Sequence, residues 1–262
     1  MIRLLACLLA VVALAGCGGT RETREPDVVV VGSATPAEGE AQGGAGPVRI
    51  WVVTHGQASS AFWTIVRNGV DDYKELGALT HVGQTEFIAG EGAGERLAQE
   101  GVDNALCINQ EVGNVGLDRR CAGFARAMRE AGGSSRVVAI DTKDPDASRA
   151  QIKSTASRPG VDGVLTLGLD AAELAIEVAP VGATLGTFDY SPAVLRAVRT
   201  GRMEFAVDQQ PYLQGYLPVV FLAERARYGL FPAQGEVVPT GPSFITSENA
   251  AQAERLSLLG IR

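Results

Sequence analysis

Polar and aromatic side chains cluster at particular places in this sequence, directly after each segment that reads as a strand. These segments are residues 55–63, 109–120, 168–170, 189–190 and 209–210. They supply planar hydrogen-bonding groups and rings, a mixture that suits a sugar, whose C–H faces stack on aromatics while its hydroxyls need fixed donors and acceptors. An anion site would need more positive charge or exposed glycine-rich turns.

The elements that must position these groups alternate between strand and helix. Runs rich in valine and isoleucine predict strands, and Cys121, Phe124, Ala125 and Met128 recur at the helical spacing i, i+3, i+4 and i+7. Such alternation predicts an α/β fold with a parallel sheet covered on both faces. In such sheets ligands bind beyond the carboxyl ends of the strands. The strands are predicted at 48–54, 104–109, 136–141, 161–167, 183–188 and 203–208.

Helix boundaries carry their own signals. Ser191 before Pro192 combines a capping hydroxyl with proline at the first helical position, and Asp144 before Pro145 does the same with a carboxylate. Gly201 is a typical stop for the helix that Ser191 begins.

The amino end resembles a bacterial lipoprotein signal. Arg3 precedes an apolar run at 4–14 that is short for a membrane span, and small residues lead to Cys17. We expect export and acylation of Cys17, with palmitate as one of the acyl groups. An ordinary cleaved signal and an amino-terminal membrane helix are the alternatives. Residues 18–47 are predicted to form a flexible tether, because their composition buries little apolar surface. A strand at the valine run 28–31 is the alternative for that part of the segment.

Charge and cysteine content narrow the function further. The formal net charge is −7 without a block of Lys or Arg, which argues against nucleic acid as a partner. Once Cys7 is removed and Cys17 acylated, Cys107 and Cys121 remain, and outside the cytoplasm they can form a disulfide. Two buried thiols are the alternative. The cysteines and the two histidines lack a metal-ligand spacing, so no metal or other cofactor is predicted.

Enzymatic signatures are weak. The sequence has neither a Gly-x-Ser-x-Gly elbow nor a Gly-x-x-x-x-Gly-Lys loop. The glycine-rich stretch at 90–94 has the wrong spacing for a nucleotide turn and lies in a helical pattern between Phe87 and Leu97, where small residues allow close packing. We expect a protein that is not an enzyme.

Several stretches resemble, in order along the chain, the type I periplasmic sugar-binding proteins, the ribose-binding-like receptors of ABC importers. The resemblance covers nearly all of 48–250, and its most specific parts are the strand that ends in Phe188-Asp189 and the Gln209-Gln210-Pro211 motif. It implies two Rossmann-like lobes that close on a sugar, with an ABC permease as partner and a monomeric state. The matching stretches are 52–56, 61–63, 80–84, 109–114, 119–124, 186–189 and 208–215.

The resemblance also implies ligand contacts from the second lobe. Arg120 would donate from its guanidinium fork, Asp189 would accept from sugar hydroxyls, and Gln209 or Gln210 would bond from the hinge side. Each has a structural alternative. Arg120 could pair with a solvated carboxylate, Asp189 could cap the helix that follows it, and the two glutamines could be turn residues.

Four more positions belong to the implied site. Phe62 and Trp63 would offer ring faces from the first lobe, or pack in its interior. Asn114 belongs to the 109–114 stretch, and Asp170 is the residue of 168–170 that can serve where the family has Asn or Asp. Phe188 is either a further contact or a core residue.

The sequence departs from the family in its first lobe. Residues 78–84 resemble the segment of the family that leads to the first interlobe crossing. Here they follow almost directly on the first helix. Compared with the family, about two βα units, roughly 60 residues or more, are absent between them. We therefore expect a truncated first lobe. The predicted boundaries are 1–17 for the signal, 18–47 for the tether, 48–83 with 209–235 for the first lobe, and 84–208 with 236–262 for the second.

These features predict an extracytoplasmic, lipid-anchored protein that captures a sugar or related polyol and delivers it to an ABC importer. A sensory or scaffold lipoprotein of the same fold is the alternative, and the shortened lobe adds a third, a relic that no longer binds.

Overall fold

A computed structural model of the chain describes residues 79–232 and 236–262. Strands and helices alternate through most of this part. The strands are β1 Val82–Gly83, β2 Asn104–Asn109, β3 Ser134–Ala139, β4 Gly163–Thr166, β5 Thr184–Phe188, β6 Phe205–Asp208, β7 Val238–Pro239 and β8 Ser243–Ile245. The helices are α1 Glu86–Gln99, α2 Val115–Glu130, α3 Pro145–Ala156, α4 Leu169–Val178, α5 Pro192–Arg199, α6 Pro211–Tyr228 and α7 Ala250–Leu258.

The principal sheet has six strands in the order β3-β2-β4-β5-β6-β8. All neighbours in it are parallel except β8, which runs antiparallel to β6. The predicted α/β class with a mainly parallel sheet is confirmed. The strand predicted at 104–109 has those bounds, the other four described strands differ from prediction by two residues or fewer, and the strand predicted at 48–54 lies outside the described residues.

The two faces of this sheet bury different side chains. Successive strand residues point to opposite faces, so in β2 Leu106 and Ile108 join one cluster and Cys107 joins the other. Helices α3, α4, α5 and α7 cover the first, which we call the aliphatic face because its buried members are Ala, Val, Leu, Ile and Met. Helices α1 and α2 cover the second, the aromatic face, which buries Phe124, Phe188 and Phe205.

The predicted helix starts are confirmed at both proline motifs. The Ser191 hydroxyl accepts from the Val194 amide at the start of α5, and the Asp144 carboxylate accepts from the Ala147 amide at the start of α3. Gly201 follows the end of α5 with φ +72°, a left-handed conformation that glycine adopts without steric cost.

Helices α1 and α2 pack with their backbones in contact. A Cβ added to Gly90 would lie 2.1 Å from the carbonyl oxygen of Arg120, and one added to Gly123 would lie 2.0 Å from that of Phe87. No larger residue fits at either position without moving a helix. The close packing predicted for the 90–94 stretch is therefore confirmed.

Cys107 of β2 and Cys121 of α2 are joined by a disulfide, with their Cα atoms 5.8 Å apart. Both residues are buried in the aromatic face. The sequence left a disulfide and two free thiols both open, and the structure has the disulfide, which ties α2 to a strand inside the sheet.

A second, two-stranded parallel sheet is formed by β1 and β7, in which Val82 faces Val238. Helix α6 has no buried residue among those described. Throughout 79–232 and 236–262, no helix combines the length and the apolar character that crossing a bilayer requires.

Candidate ligand-binding site

The carboxyl ends of β2, β4, β5 and β6 meet at one edge of the principal sheet, because these strands are parallel. The segments that leave this edge contain Gln110, Gly168, Asp189 and Gln209. The predicted positions after these four strands are therefore brought to one place by the topology of the fold, while the predicted segment 55–63 lies outside the described residues. We call this place the carboxyl edge.

Arg120 is the central side chain of the carboxyl edge. It lies on α2 and is only 3% exposed. Its Nε and Nη2 donate to the two carboxylate oxygens of Glu86, at 2.5 and 3.1 Å. Nη2 also donates to the side-chain oxygen of Gln209 at 3.2 Å, and Nη1 donates to the carbonyl oxygen of Leu167 at 3.4 Å. The alternative role of Arg120 as a salt-bridge partner is confirmed by the Glu86 pair, but the guanidinium is buried rather than solvated.

The ring of Phe188 packs against the Arg120 guanidinium. The Arg120 Cζ lies 4.4 Å from the centroid of the Phe188 ring, close enough for a cation–π contact. Phe188 itself is fully buried in the aromatic face. Of its two predicted roles, the structure assigns it that of a core residue, and it acts on the site through Arg120.

Gln209 links Arg120 to Asp189. Its side-chain nitrogen donates to a carboxylate oxygen of Asp189 at 2.5 Å, while its side-chain oxygen accepts from Arg120. The Gln209 carbonyl accepts from the Thr240 hydroxyl at 2.7 Å and from the Gln214 side chain at 2.9 Å. Gln209 is thus held at its backbone as well as at its amide, which fixes its orientation between Arg120 and Asp189.

Asp189 occupies a special backbone position. Its φ is +63°, in the left-handed region, where aspartate and asparagine are among the few non-glycine residues found often. Its amide donates to the Val207 carbonyl at 2.9 Å. Ser191, not Asp189, is the N-cap residue of α5. Burial raises the pKa of the adjacent Tyr190 phenol, and the nearby Asp208 carboxylate raises it further, so the phenol stays protonated. Its buried oxygen has no hydrogen-bond partner among the described residues.

Gln210 is also left-handed, with φ +53°, but its side chain has a different task. The amide nitrogen of that side chain donates to the Thr240 carbonyl at 2.7 Å, and its backbone N–H donates to Asp208 at 2.8 Å. The Asp208 carboxylate is completely buried and pairs with Arg262 at 2.6 Å. These contacts fix the turn between β6 and α6.

Asn114 and Asp170 both lie at helix starts. The Asn114 side chain accepts from the amides of Gly116 and Leu117 at 3.0 and 3.4 Å, as the N-cap of α2, and donates to Glu111 at 3.0 Å. Asp170 is exposed in the first turn of α4, where a negative charge suits the helix dipole. Among the described hydrogen bonds and ion pairs, neither side chain contacts Arg120 or Gln209. Phe62, Trp63 and Cys17 lie outside the described residues.

Two residues of the carboxyl edge were not predicted. Nothing in the sequence marks Glu86 as a site residue. It lies 34 residues before its partner Arg120. An acidic residue in the first turn of a helix is common, so its presence there carries no functional signal. Gln110 stands directly after β2 within a stretch that the sequence singled out, and its buried side-chain oxygen has no hydrogen-bond partner among the described residues. In the same part of the chain, no cluster of acidic, histidine or cysteine side chains is arranged to hold a metal ion.

The fold and this edge define a class of protein. The profile described as the periplasmic binding protein domain matches residues 69–229, more than half of the chain. The chain belongs to this family, and its resemblance to the type I periplasmic sugar-binding proteins is confirmed. Family membership implies an extracytoplasmic location.

Particular relatives bear names that refer to sugars. The chain is 28% identical over 186 residues to the xylose/arabinose-binding protein XylF of Sulfolobus acidocaldarius, covering 65% of this chain but only 45% of that protein. It is 35% identical to a carbohydrate transporter from Acidothermus cellulolyticus solved with myo-inositol, with a TM-score of 0.65, covering 74% of this chain and 68% of the other. A periplasmic ribose ABC transporter from Conexibacter woesei shares the fold at 22% identity and a TM-score of 0.60, covering 68% and 63%.

Proposed function

We propose that this chain is an extracytoplasmic solute-binding protein that captures a sugar or polyol at the carboxyl edge and delivers it to an ABC importer. The observation that carries the proposal is the chain of contacts Arg120–Gln209–Asp189 at the carboxyl ends of parallel strands. In the proposed complex, Arg120 is a fixed hydrogen-bond donor and Asp189 a fixed acceptor. The hydroxyls of the ligand can accept from the first and donate to the second.

The chemistry of this edge favours a polyhydroxylated ligand. A hydroxyl donates one hydrogen bond and accepts others, so one sugar hydroxyl can donate to Asp189 while its neighbour accepts from Arg120. Both protein groups are charged, and charge-assisted bonds of this kind are about twice as strong as neutral ones. The relatives support the assignment, since those reported above are named for pentoses or were solved with an inositol.

Phe62 and Trp63 remain our predicted contacts from the first lobe. Asn114, Asp170 and Gln210 also remain predicted contacts, although Asn114 and Asp170 lie at helix starts and Gln210 holds a turn. Attachment to the membrane through an acylated Cys17 is part of the proposal. A shortened first lobe is also part of the proposal. Whether the two lobes still close on the ligand is therefore the step to test.

The proposal is tested by titrating the purified full chain with myo-inositol, D-xylose, L-arabinose and D-ribose in a calorimeter, with thermal shift as a second readout. A melting temperature that rises with ligand concentration is the expected result. No response to any of these ligands, with a cooperative melt retained, would contradict capture and favour the scaffold or relic alternative.

Asp189→Asn sharpens the test because asparagine also tolerates the left-handed backbone at this position. Loss of a charged acceptor should weaken the responding ligand by roughly 10- to 100-fold, or about 1.5–3 kcal/mol. Asp103→Asn is the matched control. Asp103 is exposed just before β2, at the opposite end of the strands, and its change of charge is the same.

A further inference from the structure

Glu86 is the acidic partner of the guanidinium at the carboxyl edge. It lies in the first turn of α1, a different helix from the one that carries Arg120, and meets that guanidinium with both carboxylate oxygens. The Glu86 side chain is 24% exposed and that of Arg120 is 4% exposed. The pair is therefore shielded from water on the arginine side and open to the solvent on the glutamate side.

The contacts of Arg120 use most of its donors. A guanidinium has five N–H groups, and four of them are engaged: two by Glu86, one by Gln209 and one by the Leu167 carbonyl. One N–H of Nη1 has no partner among the described residues. A single N–H suits a hydroxyl oxygen, whereas a carboxylate or phosphate binds arginine best through two parallel N–H groups.

The charges of the carboxyl edge point the same way. Among the described residues, Arg120 is bonded to Glu86 and, through Gln209, to Asp189. Glu86 therefore offsets the charge of the guanidinium, and Asp189 adds a second carboxylate to the same connected chain. The neighbouring Asp208 is already paired with Arg262, and Asp170 adds a further exposed carboxylate near the same edge. A ligand that carries its own negative charge would enter an unfavourable field.

We propose that Glu86 is a specificity-determining residue that restricts the carboxyl edge to neutral sugars and polyols. It does so by neutralising Arg120 and by occupying the two-pronged position that an acidic ligand would need. This inference rests on the proposed function, since it presupposes that a sugar binds beside Arg120.

The first arm of the test uses wild-type protein and matched ligand pairs. The full chain is titrated with D-glucose and D-glucuronate, D-galactose and D-galacturonate, D-ribose and D-ribose 5-phosphate, and myo-inositol and myo-inositol 1-phosphate. For the pair whose neutral member binds, we expect the acidic member to bind at least about tenfold more weakly. Equal binding of both members would overturn the role of Glu86 while leaving sugar capture in place.

The second arm changes the residue. Glu86→Gln removes the charge at nearly constant shape, so the acidic member of the pair should gain on the neutral one by at least about tenfold. Glu86→Asp keeps the charge and should keep the preference for the neutral ligand. Glu91→Gln is the matched control, since it removes another acidic partner on α1, the ion pair with Arg126 at 2.9 Å, on the helix surface.

The outcomes separate the two proposals. A ratio of dissociation constants that does not move in Glu86→Gln, or that moves as much in Glu91→Gln, overturns the inference. If no member of any pair binds to the wild-type protein, the proposed function fails and the inference fails with it. The wild-type arm does not depend on the folding of a variant, so the inference stays testable even if Glu86→Gln does not fold.

Discussion

The aliphatic and aromatic faces of the principal sheet are held together by different means. On the aliphatic face the helices pack through buried Ala, Val, Leu, Ile and Met side chains, and the ion pairs between them, such as Arg149–Glu177, lie at the surface, where they contribute little. On the aromatic face a disulfide ties α2 to β2, and backbone contact at two glycines and a partly buried ion pair join α1 to α2. Only the second set also positions the candidate site.

The aliphatic face therefore contributes to stability alone, whereas the aromatic face contributes to stability and also sets the geometry of the candidate site. A side chain in an apolar cluster contributes in proportion to the surface it buries, and this contribution is not directional. The hydrogen bonds of Arg120 are directional, and its partners Glu86 and Gln209 come from different elements. Damage to the two faces should therefore be distinguishable by measuring unfolding and ligand affinity together.

The largest expected effect is on the aliphatic face. Ile152→Ala removes a fully buried side chain from α3 and should lower the free energy of unfolding by about 3–4 kcal/mol. The dissociation constant of the captured sugar, measured well below the melting temperature, should stay within about twofold, since no site contact is touched. A tenfold weaker affinity would show that the two faces are coupled.

Loss of the disulfide comes next and should affect both quantities. Changing Cys107 and Cys121 together to alanine removes a cross-link between residues 14 apart in the sequence. This should lower the free energy of unfolding by about 3 kcal/mol. Because Cys121 adjoins Arg120, we also expect about tenfold weaker sugar binding, or about 1.4 kcal/mol. Chemical unfolding and calorimetry measure the two effects. Unchanged affinity in a protein of lowered stability would mean that the disulfide does not position the arginine.

Gly123→Ala has the smallest expected cost in stability but acts most directly on the geometry. The added Cβ forces α2 away from the Phe87 carbonyl, at about 2 kcal/mol. The Glu86–Arg120 contact should loosen, and discrimination against acidic sugars should weaken with it. Gly182→Ala is the control, since an added Cβ there meets nothing within 4 Å and should change stability by less than about 0.5 kcal/mol. Equal effects of the two substitutions on stability and on discrimination against acidic sugars would show that the α1–α2 contact has no particular role in the site.

Local signals in the sequence predicted the fold well. The strand at 104–109 and the helix starts at Ser191 and Asp144 follow from β-branched content and from capping chemistry, both of which act over a few residues. The antiparallel strand β8 was not predicted as a strand, because its Ser243–Ile245 segment is too short to show a period. It forms by pairing with β6, which is a tertiary effect.

The site was predicted only in part, for a similar reason. Arg120, Asp189 and Gln209 follow from their positions relative to helices and strands and from the family resemblance. Their mutual bonds join residues 20 and 89 apart in sequence, and no pattern in the chain announces them. Glu86 escaped prediction altogether, because its role depends on how closely α1 approaches α2, and that approach is a property of packing rather than of spacing.

The left-handed backbone at Asp189 also sets limits on how this protein can evolve. At a φ of +63° the position admits aspartate, asparagine and glycine readily and most other residues only with strain. Mutational drift can therefore keep the acceptor, neutralise it or delete it, but it has little access to longer acids or to basic side chains there. A descendant of this chain with a new ligand would have to acquire it through changes at positions with an ordinary backbone, such as residue 86 in the first turn of α1.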